Sequence, residues 1–283
     1  MRQNSQKLTT EEAEKRQKAG LHLFYAARSG NVALVRELAP VADVSVKVAG
    51  GMSALHGAVE ARSAECIEAL LPWIDANTKS LDTRTSLMDA AAYGWAEGVQ
   101  LLLAASDASL TNRVGVTALM FAAGVEGAQE CIRLLLPRCD PNAKDRRGQS
   151  PLSWAATTSL ENVCALLPAC NPRTQDHSGY TPLMLAATVG RQLSVVEALI
   201  PGSDLWAMDK AGRTALDHAL KNPNKGDCAK IADLIRQSMA IAERADLRKE
   251  VALSENGGEG RAGEAAESQG QEARAGRRPP KSL

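Results

Sequence analysis

The sequence predicts an all-α solenoid of about seven helix–turn–helix units, and three columns of residues carry that prediction. A leucine followed three positions later by an alanine recurs every 31–33 residues: Leu23, Leu55, Leu87, Leu119, Leu152, Leu183 and Leu216, with Ala26, Ala58, Ala90, Ala122, Ala155, Ala186 and Ala219. From the second unit onward a hydroxyl stands two positions before each leucine, at Ser53, Thr85, Thr117, Ser150, Thr181 and Thr214. A short acid or amide closes the units at Asp43, Asp75, Asp107, Asp140, Asn171 and Asp204. Columns that drift in step mark one supersecondary unit repeated, each copy burying its apolar face only against its neighbours. Composition agrees: 45% of residues are hydrophobic but only 3% aromatic, so the core is built from small and straight-chain side chains that suit helices.

Residues 1–17 are polar, and Thr9 and Glu12 have capping-box spacing, which predicts a charged helix shielding that end. Residues 18–238 form the repeat domain. Within a unit, the Ser/Thr oxygen caps a first helix by accepting from a free N–H. Pro151 and Pro182 follow the cap, where a missing N–H does no harm. Gly30, Gly94, Gly127 and Gly190 end that helix in several units. A second helix carries an apolar stripe such as Ile132, Leu135 and Leu136, and is stopped by Pro40, Pro72, Pro137, Pro168 or Pro201. A polar, turn-rich stretch leads to the next unit. The break at 221–227 precedes a helix expected to close the far end, extended over 239–252. Beyond Val251 the chain has no aromatic or β-branched residue, so 253–283 is expected to be a disordered tail.

Residues 145–156 (DRRGQSPLSWAA), 176–187 (DHSGYTPLMLAA) and 209–220 (DKAGRTALDHAL) resemble the ankyrin repeat signature D-x-x-G-x-T-P-L-x-x-A-A. There are departures. The unit end reads P-x-x-D instead of G-A-D, Thr83 stands where the family has a turn glycine, and the histidine after the leucine survives only as His56. In the family that histidine ties down the finger turn. The resemblance implies a concave face that binds partners through its fingers and first helices. Carried over, the finger positions are Met52, Arg84, Arg113, Val116, Arg146, Arg147, Gln149, His177, Tyr180, Lys210 and Arg213. The helix positions are Glu60, Tyr93, Val125, Thr158 and Val189. Trp154 and Phe121, two after their leucines, serve as packing or as the aromatic floor of a groove. Asp145, Asp176 and Asp209 are expected to form the finger turns.

Other chemistry finds little support. With 33 basic and 33 acidic residues the net charge is zero, which argues against a nucleic-acid coat or electrostatic capture by a membrane. No apolar run reaches bilayer length. The first twenty residues lack an apolar signal region, and the six cysteines include no C-x2-C pair, so reduced thiols and a cytoplasmic location are expected. Cys66, Cys131, Cys164 and Cys228 fall eleven or twelve residues after their leucines, which reads as one core-facing column, a layer apart and too distant to share one zinc. His22, His56, His177 and His218 form no metal-binding spacing. Gly258, Gly260 and Gly263 match G-x-G-x-x-G, but in the tail, without the strand and helix that motif needs. The expectation is a monomeric, non-enzymatic protein-binding scaffold without cofactor, metal, nucleic acid or membrane. The alternative is a regulatory or effector-type module acting through its C-terminal extension.

Overall fold

A computed structural model describes residues 9–190, 192–221 and 226–249. The chain divides into two compact units, 1–232 and 233–283. The expected tail at 253–283, with its glycine motif and basic run, lies outside the described residues, as do 222–225 in the polar break.

In the first unit the helices come in pairs: α1 (Thr10–Arg28) with α2 (Val32–Leu38), α3 (Ala54–Glu60) with α4 (Ala64–Leu70), and α5 (Ser86–Ala92) with α6 (Ala96–Leu103). Then follow α7 (Ala118–Ala123) with α8 (Gln129–Leu135), α9 (Pro151–Ala155) with α10 (Leu160–Leu166), and α11 (Pro182–Val189) with α12 (Leu193–Leu199). α13 (Ala215–Leu220) begins the last pair, and residues 228–232 are helical again. First helices pack on first helices, α1 on α3 through α11 on α13, and second helices on second helices, α2 on α4 through α10 on α12. Among the described residues the only β-pairing is an isolated bridge between Thr111 and Thr117.

Five of the six predicted Ser/Thr caps form, while the Ser53 hydroxyl meets the His56 ring instead. Thr85, Thr117, Ser150, Thr181 and Thr214 each accept a backbone N–H three residues on, at 3.2–3.3 Å. Thr9 and Glu12 complete their capping box, with Thr9 N–H donating to the Glu12 carboxylate at 3.0 Å. α1 runs unbroken from that box through the first unit's first helix. The second helices have caps of their own: Asn31, Ser63 and Ser159 accept from Leu34, Cys66 and Asn162. The helices from α2 to α13 run from five residues (α9) to eight (α6, α11). Isolated helices shorter than about 12–15 residues are marginal in water, so stacking holds them. Leu23, Leu55, Leu87, Leu119, Leu152 and Leu183 are fully buried in the seam; Leu216, on the last of the stacked first helices, is half-buried. At Gly57 an added Cβ would sit 3.1 Å from the Phe24 carbonyl, so only glycine lets α3 lie this close to α1.

The cysteine column needs correction. Cys66 and Cys131 do share a buried position, the third residue of α4 and α8. In α10 that position is held by Asn162, and Cys164 is exposed. Cys228 is buried, but as the first residue of its helix. Counting from the leucine fails because the link to the second-helix cap varies: eight residues to Ser63, nine to Ala128, seven to Ser159. Asn162 uses its burial differently from a thiol. Its amide donates to the Ala123 and Val125 carbonyls at 3.1 and 2.6 Å, tying α10 to the end of α7.

In the second unit, residues 233–249 are helical, with exposed ion pairs Arg236–Asp233 at 2.7 Å and Lys249–Asp246 at 3.1 Å. Ile241 and Leu247 are solvent-exposed there.

Candidate functional site

Each finger is a hairpin-like turn leading into the next first helix, and in the fourth to seventh its conformation follows from one side chain. The Asp145 carboxylate Oδ1 accepts N–H bonds from Arg147 and Gln149 at 2.8 and 2.9 Å. Asp176 does the same for Ser178 and Tyr180, and Asp209 for Ala211 and Arg213, while Asn112 substitutes in the fourth finger. The turn then needs a left-handed residue, supplied by Gly115, Gly148, Gly179 and Gly212 at φ 73–85°. In the third finger Thr83 adopts φ 57°, and its hydroxyl is buried without a partner.

Neighbouring fingertips are joined by single backbone bonds. Leu81 N–H donates to the Gly50 carbonyl, Arg146 to Val114, His177 to Arg147 and Lys210 to Ser178, at 2.8–3.0 Å. Between the third and fourth fingers the Arg113 guanidinium bonds the Leu81 carbonyl at 2.6 Å instead. A second ladder runs alongside. The Lys47, Lys79 and Lys144 ammonium groups donate to the carbonyls of Lys79, Thr111 and Gln175, and the Gln175 amide donates to that of Met208.

The expected contact residues divide by position along the finger. At the tips, Arg113, Arg146, Arg147, His177 and Lys210 are exposed. The column just before each cap turns back onto the first helices. Val116 is only 3% exposed, so it is core and not contact surface. Arg84, Gln149, Tyr180 and Arg213 are half-buried. The Arg84 guanidinium pairs with Asp89 at 2.7 Å and lies 4.4 Å above the Phe121 ring. Arg213 pairs with Asp209 at 2.9 Å and donates to the Tyr180 hydroxyl at 3.2 Å, and the Tyr180 ring rests 4.8 Å from that of His218. On the helices, Tyr93 and Glu60 are exposed, Glu60 pairing with Arg28 at 2.8 Å, and Val125, Thr158 and Val189 are half-buried. Burial pushes the pKa of Asp89 up against the pull of Arg84, and raises that of Tyr93, with Asp89 and Glu60 adding to the shift.

A family model described as ankyrin repeats (3 copies) matches residues 23–109, 87–176 and 152–238, most of the chain. The chain belongs to the ankyrin repeat family. A search of curated proteins finds no match. Ankyrin repeats are protein–protein interaction modules.

The ankyrin finger brace is visible at His56. Its Nδ1 faces the Ser53 N–H at 3.3 Å and must accept, so the ring proton is on Nε2 and donates to the Arg84 carbonyl at 3.2 Å. Two further braces escape the sequence pattern. Trp154 Nε1 donates to Asp145 Oδ2 at 3.3 Å, and His218 Nε2 donates to Asp209 Oδ2 at 2.9 Å, each across nine residues. The shared separation was the available signal. Burial pushes the Asp209 carboxyl up, but the N–H groups of Arg213 and Ala211, the Arg213 guanidinium and His218 together hold it well below the carboxylate range. Trp154 is half-buried, its ring 6.4 Å edge-on from Phe121 and against Gly124. It therefore supports the finger and also forms the floor of a cavity of about 290 Å³ lined by Val114, Val116, Asp145, Arg146, Arg147 and Gln149. Among the described residues, no group of three His, Cys, Asp or Glu side chains is placed to hold a metal ion, and no helix is long and apolar enough to cross a membrane.

Proposed function

We propose that this ankyrin protein is a non-enzymatic, monomeric, cytoplasmic scaffold that binds a partner protein through the tips of its fourth to seventh fingers and the neighbouring first-helix ends. Nucleic acid, membrane and cofactors play no part in this reading. The observation that carries it is the sorting of the fingers. Turn-forming carboxylates and the pre-cap column are engaged inside the fold, while Arg113, Arg146, Arg147, His177 and Lys210 are presented to solvent at successive fingers. Arginine is among the side chains that most often anchor interfaces. Tyr93 extends the same reading to the helix ends, where it is exposed beside the Arg28–Glu60 pair.

The test is affinity capture with the full chain and an Arg146→Glu, Arg147→Glu double variant. Both side chains are exposed, so the helical CD melt should be unchanged while the partner recovered with the wild type is lost. Equal recovery with both proteins would refute the assigned surface.

A further inference from the structure

The fingertips also indicate what kind of partner fits them. We infer that the fourth to seventh fingers recognise an extended acidic segment carrying one large apolar side chain, which enters the cavity between the fourth and fifth fingers. This inference rests on the proposed interaction surface and specifies its ligand.

Charge is the first observation. In this stretch the finger carboxylates point inward: Asp145 and Asp209 are buried, and Oδ1 of Asp145, Asp176 and Asp209 each binds two backbone N–H groups. The cations point outward. Among the described residues, Arg146, Arg147 and Lys210 enter no ion pair, and Arg113 is exposed although one of its nitrogens holds the Leu81 carbonyl. A chain of zero net charge thus carries a local row of unpaired positive charge. Stacked helices lie about 8–10 Å apart. That is about one Debye length at physiological salt, so adjacent fingers reinforce one another toward an anionic ligand.

Shape is the second. The cavity of about 290 Å³ is lined by the apolar Val114, Val116 and Trp154 and by the polar side chains of the fifth finger, Arg146 and Arg147 among them. Val114 is 50% exposed at its mouth, an apolar side chain at the tip of a polar turn. The floor is rigid because the indole is hydrogen-bonded to Asp145 and packed on Phe121. The Asp145 carboxylate also lines the cavity, but its oxygens are taken up by the N–H groups of Arg147, Gln149 and Trp154, and the Arg146 and Arg147 guanidiniums stand beside it. An apolar side chain therefore fits below a cationic rim. A segment in the polyproline II conformation rises about 3.1 Å per residue and returns every third side chain to one face, so an acid at every third position meets successive fingers.

The probe is a fluorescein-labelled extended peptide of about eleven residues, glutamates with a central phenylalanine, titrated by anisotropy against the full chain. Wild type should bind it saturably, weaken as salt rises, and prefer it over a version with glycine at the centre and over an all-lysine version. Arg146→Glu with Arg147→Glu should weaken binding at least about tenfold. Val114→Asp should abolish the preference for phenylalanine over glycine, with CD confirming that both variants fold. The inference is overturned if the lysine peptide binds as well, if the double reversal leaves affinity unchanged, or if single-stranded oligothymidine is preferred. Should the peptide fail while the double reversal still abolishes partner capture, the acidic ligand is wrong and the surface stands. Should capture survive the reversal, the surface itself is wrong.

Discussion

Replacing His56 with alanine tests the physical basis of the finger braces. The imidazole is 1% exposed and joins the second unit to the third: it accepts the Ser53 N–H, contacts the Ser53 hydroxyl at 2.8 Å, and donates to the Arg84 carbonyl. Alanine leaves the buried Ser53 N–H unpaired and removes one of the two bonds to the Arg84 carbonyl, which keeps that from the Ser80 N–H at 2.9 Å. The orphaned group costs about 1–3 kcal/mol, and the lost bond and vacated ring volume add to it, so the loss should be about 2–4 kcal/mol. For a domain of this size each kcal/mol shifts Tm by about 2–4 °C, so the CD midpoint should fall by about 4–16 °C. Hydrogen exchange should show protection lost first at the second and third fingers, because a stack opens at the weakened junction. Burial pushes the His56 pKa down, against the upward pull of the Arg84 carbonyl and Asp89. The ring is thus neutral when folded, and an unfolded histidine gains a proton below about pH 6.5. Its contribution is complete above that value and fades as pH falls through the lowered native pKa. The gap between wild type and H56A should therefore narrow on acidification. A Tm change under about 1 °C at pH 7.5, or a gap that widens in acid, would refute the brace.

Three other perturbations follow from the same geometry. Thr83→Gly replaces a β-branched residue at φ 57° and removes an unpartnered hydroxyl, so stability should rise by about 1 kcal/mol in urea titration; a loss would show that the finger is not strained. Asn162→Ala removes the amide that donates to the Ala123 and Val125 carbonyls and should cost about 2 kcal/mol by the same measurement, with no change meaning that those bonds do not hold the fourth and fifth units together. Alkylation at pH 8 followed by mass spectrometry should label exposed Cys164 first. Burial pushes Cys131 and Cys139 up to about 11 and Cys170 up to about 12, so these should react only after unfolding, and early labelling of Cys131 would contradict its place in the core.

What the sequence revealed and what it withheld separate along physical lines. Features that build the stack recur in every unit, because each unit solves the same burial problem; hence the caps, the anchoring leucines and the closing acids were all legible. The closing acids prove to be turn formers: Asp43, Asp75, Asp107, Asp140, Asn171 and Asp204 each accept the N–H two residues on. The lysine ladder at Lys47, Lys79 and Lys144 shares that period and could have been seen in the same way. The fingers resist such reading because they have neither a two-residue nor a 3.6-residue alternation. Two residues along the turn separate exposed Arg147 from half-buried Gln149, or exposed Val114 from buried Val116. A link that gains or loses one residue moves Cys164 out of the core and Asn162 into it.

The deviations from the period are also where individuality lies. Thr83 in place of glycine, Arg113 in place of a backbone bond, and Val114 at a polar tip contribute nothing that the other units do not achieve more simply. The third-to-fifth fingers are irregular in the same stretch that holds the aromatic-floored cavity and the densest exposed arginines. Repetition accounts for why this chain folds. Selectivity for one partner must come from positions where repetition lapses, since a surface identical at every finger could not fix the register of a bound segment.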